Sequence, residues 1–344
     1  MANSSLFLQT LNGKKTARPP FWFMRQAGRY LPEYKTMRKQ KTSFLSLCLS
    51  PKSACEVTLQ PIRRLNTDAA IIFSDILIVP LGLGVEVDFI EGKGPILDAV
   101  KNEGDLKTLS FSKNSSKLDA TYEAIGRVRE ALPEEKTLIG FAGSPWTVAT
   151  YMVEGQSTKD FTKVKTWAYS DPESFDMLIN ILTEATIEHL IKQIEAGADV
   201  VKLFDSWAGA LSPLGFTRWV VKPTREICRC LKKIFPSIKI IGFPKGAAFG
   251  YFEYAETTGV DAIALDTAIC PITAGKEIPR KTIIQGNLDP ISLIVGGKAM
   301  FQETQTILDA LAHRPFIFNL GHGVQPTTPP ENVEALSEFL LSLE

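Results

Sequence analysis

Eight short apolar runs, most of them ending on polar or glycine residues, restrict this chain more than any other feature. They are PFWFMR (20–25), AAIIFSD (69–75), TLIGFAG (137–143), DVVKLFDS (199–206), IKIIGFP (238–244), AIALD (262–266), TIIQGNLD (282–289) and FIFNLGHG (316–323). Most are continuously apolar and do not alternate. A strand buried on both faces reads this way, and such strands belong to parallel sheets covered by helices. Helical stretches separate most of the runs. The clearest covers 172–195: Asp171 can cap it, Pro172 sits in its first turn, and Gly197 stops it. Its inner face is marked by Phe175, Leu178, Leu182 and Ala185. A second begins at Ser212 and Pro213 and must break or kink at Pro223. The last helix also opens on prolines, Pro329 and Pro330. Eight strands with intervening helices fit an α/β fold, either a (β/α)8 TIM-type barrel or a doubly wound sheet, and the count of eight favours the barrel. No internal repeat, low-complexity tract or linker interrupts it, so one domain over 1–344 is expected.

In a barrel the C-terminal strand ends converge on one mouth, where the chemistry sits. Arg25, Asp75, Ser206, Lys245, Asp266, Asn287, Asp289 and His322 all fall at or just past such ends. Strands also simply stop on polar residues, so each alone says little. The Gly-rich stretch 79–97 lacks the third glycine of a dinucleotide loop, and no Walker lysine follows Gly82 and Gly84. Its second half alternates like a hairpin, which makes it an insertion or a lid.

Charge narrows the ligand. Lysine plus arginine balance aspartate plus glutamate at 38 each, so nothing global calls for a nucleic acid or a membrane. Yet the segment 14–41 holds nine basic residues against one acid, Glu33. It is either a solvated arm or the holder of an anionic ligand in the cleft. Within it Arg25 and Arg29 flank Gln26, Ala27 and Gly28. A guanidinium is always charged and presents a fork that matches carboxylate or phosphate. A glycine between two of them lets the backbone turn and approach a ligand. The pair reads as an anion clamp, with two surface ion pairs as the plain alternative.

Asp75 could serve as base, metal ligand or partner of a cation, or only cap a helix. Tyr151 could offer a phenol or only pack. Ser206 has no G-x-S-x-G frame, so a hydrogen bond to ligand or backbone is its expected part. Of three histidines, His189 falls inside a helix and His313 in a polar turn, while His322 between two glycines has room to act. No H-x-C or H-E-x-x-H occurs, so no metal site is expected. The five cysteines form no C-x-x-C pair, which fits a reducing compartment. The first residues lack a long apolar core, and no run of about 18 apolar residues exists to span a membrane. A cytoplasmic location is the expectation.

Taken together, MRQAGRYLPEY, FSDIL, GFAGSPWTVATYMVEG, KLFDSWAG, GFPKG, LDT, QGNLDP and NLGHGV occur in an order that resembles the uroporphyrinogen decarboxylase family of haem biosynthesis over nearly the whole chain. Trp207 stands where some relatives carry histidine, and EGQSTKDF has fewer glycines than that loop often shows. The resemblance implies a (β/α)8 barrel, usually a homodimer with facing clefts, working without metal or organic cofactor. It implies conversion of the four acetate arms of uroporphyrinogen III to methyls, giving coproporphyrinogen III and four CO2. Arg25 and Arg29, with Gln26 and the backbone at Ala27 and Gly28, would clamp carboxylates. Asp75 would accept hydrogen bonds from the pyrrole N–H groups and stabilise a cation. Tyr151, Ser206 and His322 would hold the acetate and propionate arms. Arg29 is one candidate proton donor, beside water or a substrate carboxyl. A methyltransferase of the same superfamily would need a zinc-thiolate set of His-x-Cys and a distant Cys. Here Ile191, Pro315 and Val324 stand two residues after the histidines. A non-catalytic tetrapyrrole carrier would keep the clamp but not need Asp75.

Overall fold

The computed structural model describes residues 5–90 and 92–343. Its strands are β1 (Ala69–Ile71), β2 (Val87–Ile90), β3 (Gly94–Leu97), β4 (Thr137–Gly143), β5 (Val200–Asp205), β6 (Lys239–Pro244), β7 (Ala262–Ala264), β8 (Ile283–Gln285) and β9 (Phe316–Ile317). Seven of them pair in parallel in the order β1-β4-β5-β6-β7-β8-β9. β2 and β3 form a separate antiparallel hairpin, as the alternation in 79–97 suggested.

The first apolar run is where the sequence expectation needs correction. Residues 20–25 do not form a regular strand. They make one parallel bridge, Phe21 to Phe318. Two prolines, Pro19 and Pro20, cannot donate to a ladder. At the other end Arg25 takes φ 61°, a left-handed conformation that stops extension. The segment still closes the ring. Phe318 N–H donates to Pro20 O at 2.9 Å on the β9 side. Asp68 N–H donates to Phe21 O at 2.9 Å on the β1 side. Phe21 N–H returns a bond to Asp68 Oδ2 at 2.8 Å. Eight staves thus form a (β/α)8 barrel, with one irregular stave held by a few backbone bonds and by the Asp68 side chain.

That side chain is itself fixed. Arg18 grips Asp68 with both arms of its fork, at 2.7 and 3.0 Å, and both residues are buried. The lumen is packed by Trp22, Met24, Ala69, Ile139, Val200, Ile241, Phe243, Ala262, Ala264, Ile283 and Ile317. Phe7 and Leu11, from the helix Leu6–Leu11, join the same cluster. Ser5, which caps that helix, hydrogen-bonds Thr137 at the start of β4. The N-terminal end of the barrel is therefore plugged, and only the C-terminal mouth is free to hold a ligand.

The helix Pro172–Glu195 has the expected bounds, and Asp171 accepts from Ser174 N–H as its cap. Gly197 just past it takes φ 115°, which suits glycine alone. Pro223 is accommodated by a π-turn over Thr217–Val221, so that it falls in the first turn of the helix Lys222–Ile234. A wider turn spares the proline both the missing N–H and the ring clash.

Asp68→Ala leaves Arg18 buried without its carboxylate and removes the bond to Phe21. Losing one partner of a buried pair costs about 3–5 kcal/mol. Urea unfolding should show that loss as a lowered midpoint; an unchanged midpoint would mean that the barrel closes without the pair.

Candidate active site

Arg25 ends the irregular stave and stands exposed at the mouth. Its side chain lies across Gly323: a Cβ added there would fall 2.3 Å from Arg25 Cδ and 2.6 Å from Cγ. The loop returning from β9 therefore needs a glycine under the guanidinium. Gly28 is close in a different way, with room for a Cβ only 3.1 Å from Arg25 O. The left-handed residue is Arg25 itself, not Gly28.

Gln26 lies between them and is buried. Its Oε1 accepts from Phe23 N–H at 3.1 Å, and its Nε2 donates to Ala69 O at 3.0 Å. Tyr30 Oη donates to Gln26 O at 2.8 Å. The amide of Gln26 is thus committed to the loop and to β1, while Ala27 and Gly28 remain half-buried and Arg29 exposed. Among the described residues neither Arg25 nor Arg29 has an ion-pair partner.

Asp75 lies past β1, half-buried, with Oδ1 accepting from Leu77 N–H at 2.9 Å. Burial pushes its carboxyl up to about 6, and the Leu77 N–H and the Arg25 charge pull against that rise. Tyr151 comes from the helix Pro145–Glu154. Its ring lies 4.1 Å from Trp207. Burial raises its phenol, Ser157 hydrogen-bonds it, and both Asp75 and Arg25 act on it. His322 is pushed down to about 3 by burial and then by Arg25 and Lys245, so it is a neutral imidazole at physiological pH. Its Nδ1 is buried without a partner.

The structure brings Arg25, Asp75, Tyr151 and His322 into one electrostatic neighbourhood. Ser206 follows β5 directly and precedes Trp207, whose ring covers Tyr151. Arg29 is not among the groups acting on Asp75, Tyr151 or His322; it and Arg38 act on Tyr34, which packs 5.6 Å from Phe73. Three other strand-end residues serve the fold. Asp266 accepts from Gly246 N–H, Tyr251 Oη and Ala268 N–H. Asn287 donates to Asp266 O and Ile269 O. Asp289 caps the helix Pro290–Val295. His189 is buried between Tyr122 and Gln193, and His313 sits near Gly275 O.

Sequence reasoning missed Lys202, Asp205, Trp207 and Arg38. Asp205 is buried beneath the mouth, hydrogen-bonded by Thr147 Oγ1 at 2.6 Å, and desolvation pushes it up to about 7. Thr147 in turn accepts Trp207 N–H at 3.2 Å, which sets the strand-end turn. Arg38 is half-buried and acts on Cys48, which also feels Asp75. A cavity of about 700 Å³ lies away from all of these, between the helices Pro172–Glu195 and Lys222–Ile234, and takes no part in the mouth. Among the described residues no three His, Cys, Asp or Glu side chains converge as metal ligands.

Arg25, without an ion-pair partner among the described residues, thus acts on a desolvated Asp75 and on a neutral His322. Residues 2–342 match the family model for uroporphyrinogen decarboxylase (URO-D). The chain belongs to the uroporphyrinogen decarboxylase family. A uroporphyrinogen decarboxylase of Rhodospirillum rubrum is 48% identical over 334 residues, covering 97% of this chain and 96% of that protein. One of Granulibacter bethesdensis is 50% identical over 339 residues, covering 98% of each. A methyltransferase from Methanosarcina mazei has the same fold, with a TM-score of 0.81 and 98% of each chain covered, at 18% identity. The reaction of the family is decarboxylation of uroporphyrinogen in haem biosynthesis, a carboxy-lyase activity.

Gly323→Ala should push the Arg25 side chain out of its track while leaving the fold intact. We expect KM for a carboxylate-rich substrate to rise about tenfold, the worth of one displaced charge-assisted contact. Steady-state kinetics beside a far-UV spectrum check this; wild-type KM in a folded variant would show that Arg25 does not need the track.

Proposed function

We propose that the single domain over 1–344 converts the four acetate arms of uroporphyrinogen III to methyls at this mouth, giving coproporphyrinogen III and four CO2. Arg25 and Arg29 hold carboxylates, helped by backbone N–H groups at Ala27 and Gly28, while Gln26 sets the shape of their loop. Asp75 faces the pyrrole N–H groups. Tyr151, Ser206 and neutral His322 hydrogen-bond the acetate and propionate arms. The observation that carries this reading is the unpaired Arg25 acting on Asp75, Tyr151 and His322 together.

The chemistry follows from the substrate. Protonating a pyrrole ring carbon makes a cation that accepts the electron pair of the breaking C–C bond as CO2 leaves. The exocyclic alkene that results is then protonated to the methyl, and the ring returns its first proton. Each acetate so consumes one proton overall. A fixed carboxylate beside the ring nitrogens stabilises the cation in a site that excludes water. Arg29, water and a substrate carboxyl remain the candidate donors, and Arg29 is the weakest of them because a guanidinium gives up its proton reluctantly.

The family reading also brings a homodimer. Leu214, Phe249, Ile272, Ile291 and Val295 are exposed, in the turns and short helices that follow β5 to β8. Exposed apolar side chains of this kind are a surface that a second copy can cover. All five cysteines are free thiols, which fits the cytoplasm.

Anaerobic incubation with uroporphyrinogen III, then chromatography of the oxidised products, tests the activity; intermediates losing carboxyl groups one at a time are expected, and none at all from a binding-competent protein would sink it. Because Asp75 must be ionised, kcat/KM should fall as pH drops through about 6. Asp75→Asn should remove that limb and lower kcat about 10²–10³-fold. A variant with near-wild-type kcat would take Asp75 out of the chemistry. Phe249→Asp with Leu214→Asp should shift the protein to monomer in sedimentation; an undisturbed dimer would place the interface elsewhere.

A further inference from the structure

Among the described residues, Lys202 is a buried lysine whose amine has no hydrogen-bond partner. It lies on β5 between Val200 and Phe204, side chain in the lumen and fully buried. Its Nζ has no hydrogen-bond partner. Three rings surround it: Trp22 and Phe204 at 4.8 Å, and Phe243 at 5.3 Å. Ring faces favour the charged form, but they replace only part of the lost water. Desolvation accordingly holds the amine well below the usual lysine range. A methionine would fill the same space without that cost. Among the described residues no protein group hydrogen-bonds this amine, so the fold itself gives it no bonding duty.

Its place indicates where its charge acts. Phe243 packs 6.3 Å from the His322 ring, and Lys202 itself acts on His322. The field of Nζ therefore reaches the mouth. The elements packed around it offer little to answer it. Phe141 of β4 and Ile241 of β6 are its register partners. Gln285 of β8 is reached only through its bond with Trp22 Nε1. His322 is the titratable group in electrostatic reach, and it is in turn acted on by Arg25, Lys245 and Asp266. Among the described residues no carboxylate pairs with Lys202.

We propose that Lys202 is a specificity-determining charge sensor: its amine takes up a proton when a carboxylate-rich ligand fills the mouth above it, so that the octacarboxylate substrate is held more tightly than the tetracarboxylate product. This rests on the placement of the tetrapyrrole at the mouth. Each step turns R–CH2–COO⁻ and one proton into R–CH3 and CO2, so the ligand loses one negative charge per step. The attraction that keeps Lys202 protonated weakens in the same order. Substrate is thereby retained through the sequence and the final product released.

Calorimetric titration of the full-length protein with uroporphyrin III and coproporphyrin III, in buffers of different ionisation enthalpy near neutral pH, counts the protons taken up. Wild type should take up more with the octacarboxylate. Lys202→Met should shrink that difference, leaving the part due to Asp75, and narrow the ratio of their Kd values about tenfold, as loss of a one-unit shift would. An uptake difference undiminished in Lys202→Met overturns the proposal, as does one that vanishes only in His322→Asn. If Lys202→Met does not fold, Lys202→Gln assigns the Lys202 Cε resonance by its loss from a ¹³C-lysine spectrum. That resonance should move in wild type on adding uroporphyrin III, and a stationary one overturns the proposal. If neither porphyrin binds wild type, the mouth is not the tetrapyrrole site and both readings fall.

Discussion

The Arg18–Asp68 pair decides where everything else stands. A parallel barrel must join its last strand to its first, and here the joining stave is too proline-rich to do so by backbone alone. Asp68 supplies the missing acceptor to Phe21 N–H, and Arg18 holds Asp68 in place. An irregular closing stave has a benefit. It can leave the ladder abruptly at Arg25, with a left-handed residue that a regular strand would not tolerate. Arg25 is therefore attached to the one irregular stave, just past Met24, which bonds Asn319 and Val324 on the β9 side. Gln26, Tyr30 and Ala69 then lock the loop at the height of the mouth.

Most of the barrel was legible because both faces of its strands are buried, and burial on both faces leaves a continuous apolar word in the sequence. The failure at 20–25 is instructive for the same reason. PFWFMR is as apolar as the others, but its residues pack into the lumen and core with a single ladder bridge, and apolar content does not distinguish the two. Pro223 announced a break, and a π-turn absorbed it. In the site, residues at strand ends could be enumerated but not sorted. Asp75 and Asp266 look alike in sequence. Only the fold shows that Asp266 is saturated by three donors while Asp75 accepts one. Gln26 looked like part of a ligand clamp because it lies between two arginines, yet its amide turns inward. Lys202 was hidden inside an apolar run, where a lone lysine reads as an outward-facing exception. The barrel turns that position inward because Val200 and Phe204 flank it.

Desolvation is the common cause of the site's electrostatics, and it acts in opposite directions on acid and base. It raises Asp75 and lowers His322, so both groups move toward neutrality. Guanidiniums resist this, because their charge survives partial burial. The mouth is thus a region where ordinary ionisable groups are pushed toward neutral and arginines remain cationic. Such a surface selects a polyanion without help from the net charge of the chain, which is zero.

The same economy bears on the chemistry. A decarboxylase must provide somewhere for an electron pair to go. A protonated pyrrole is already an iminium-type sink, so the substrate brings what other decarboxylases recruit from a cofactor. What remains for the protein is to place one negative charge near ring nitrogens and to keep water from screening it. Asp75 can do this only while ionised, and the burial that strengthens its field also raises its pKa. Those two effects oppose each other, and Arg25 mediates between them. Its charge draws Asp75 back toward the ionised form while its fork remains free for a substrate carboxylate. On the proposed function, one guanidinium would couple anchoring to activation. An acetate that docks on Arg25 partly neutralises it and lets the carboxyl of Asp75 drift upward, unless the developing ring cation replaces the lost positive charge. The carboxylate is then most firmly ionised when that cation forms, which is the condition under which its stabilisation accelerates the reaction rather than merely tightening binding.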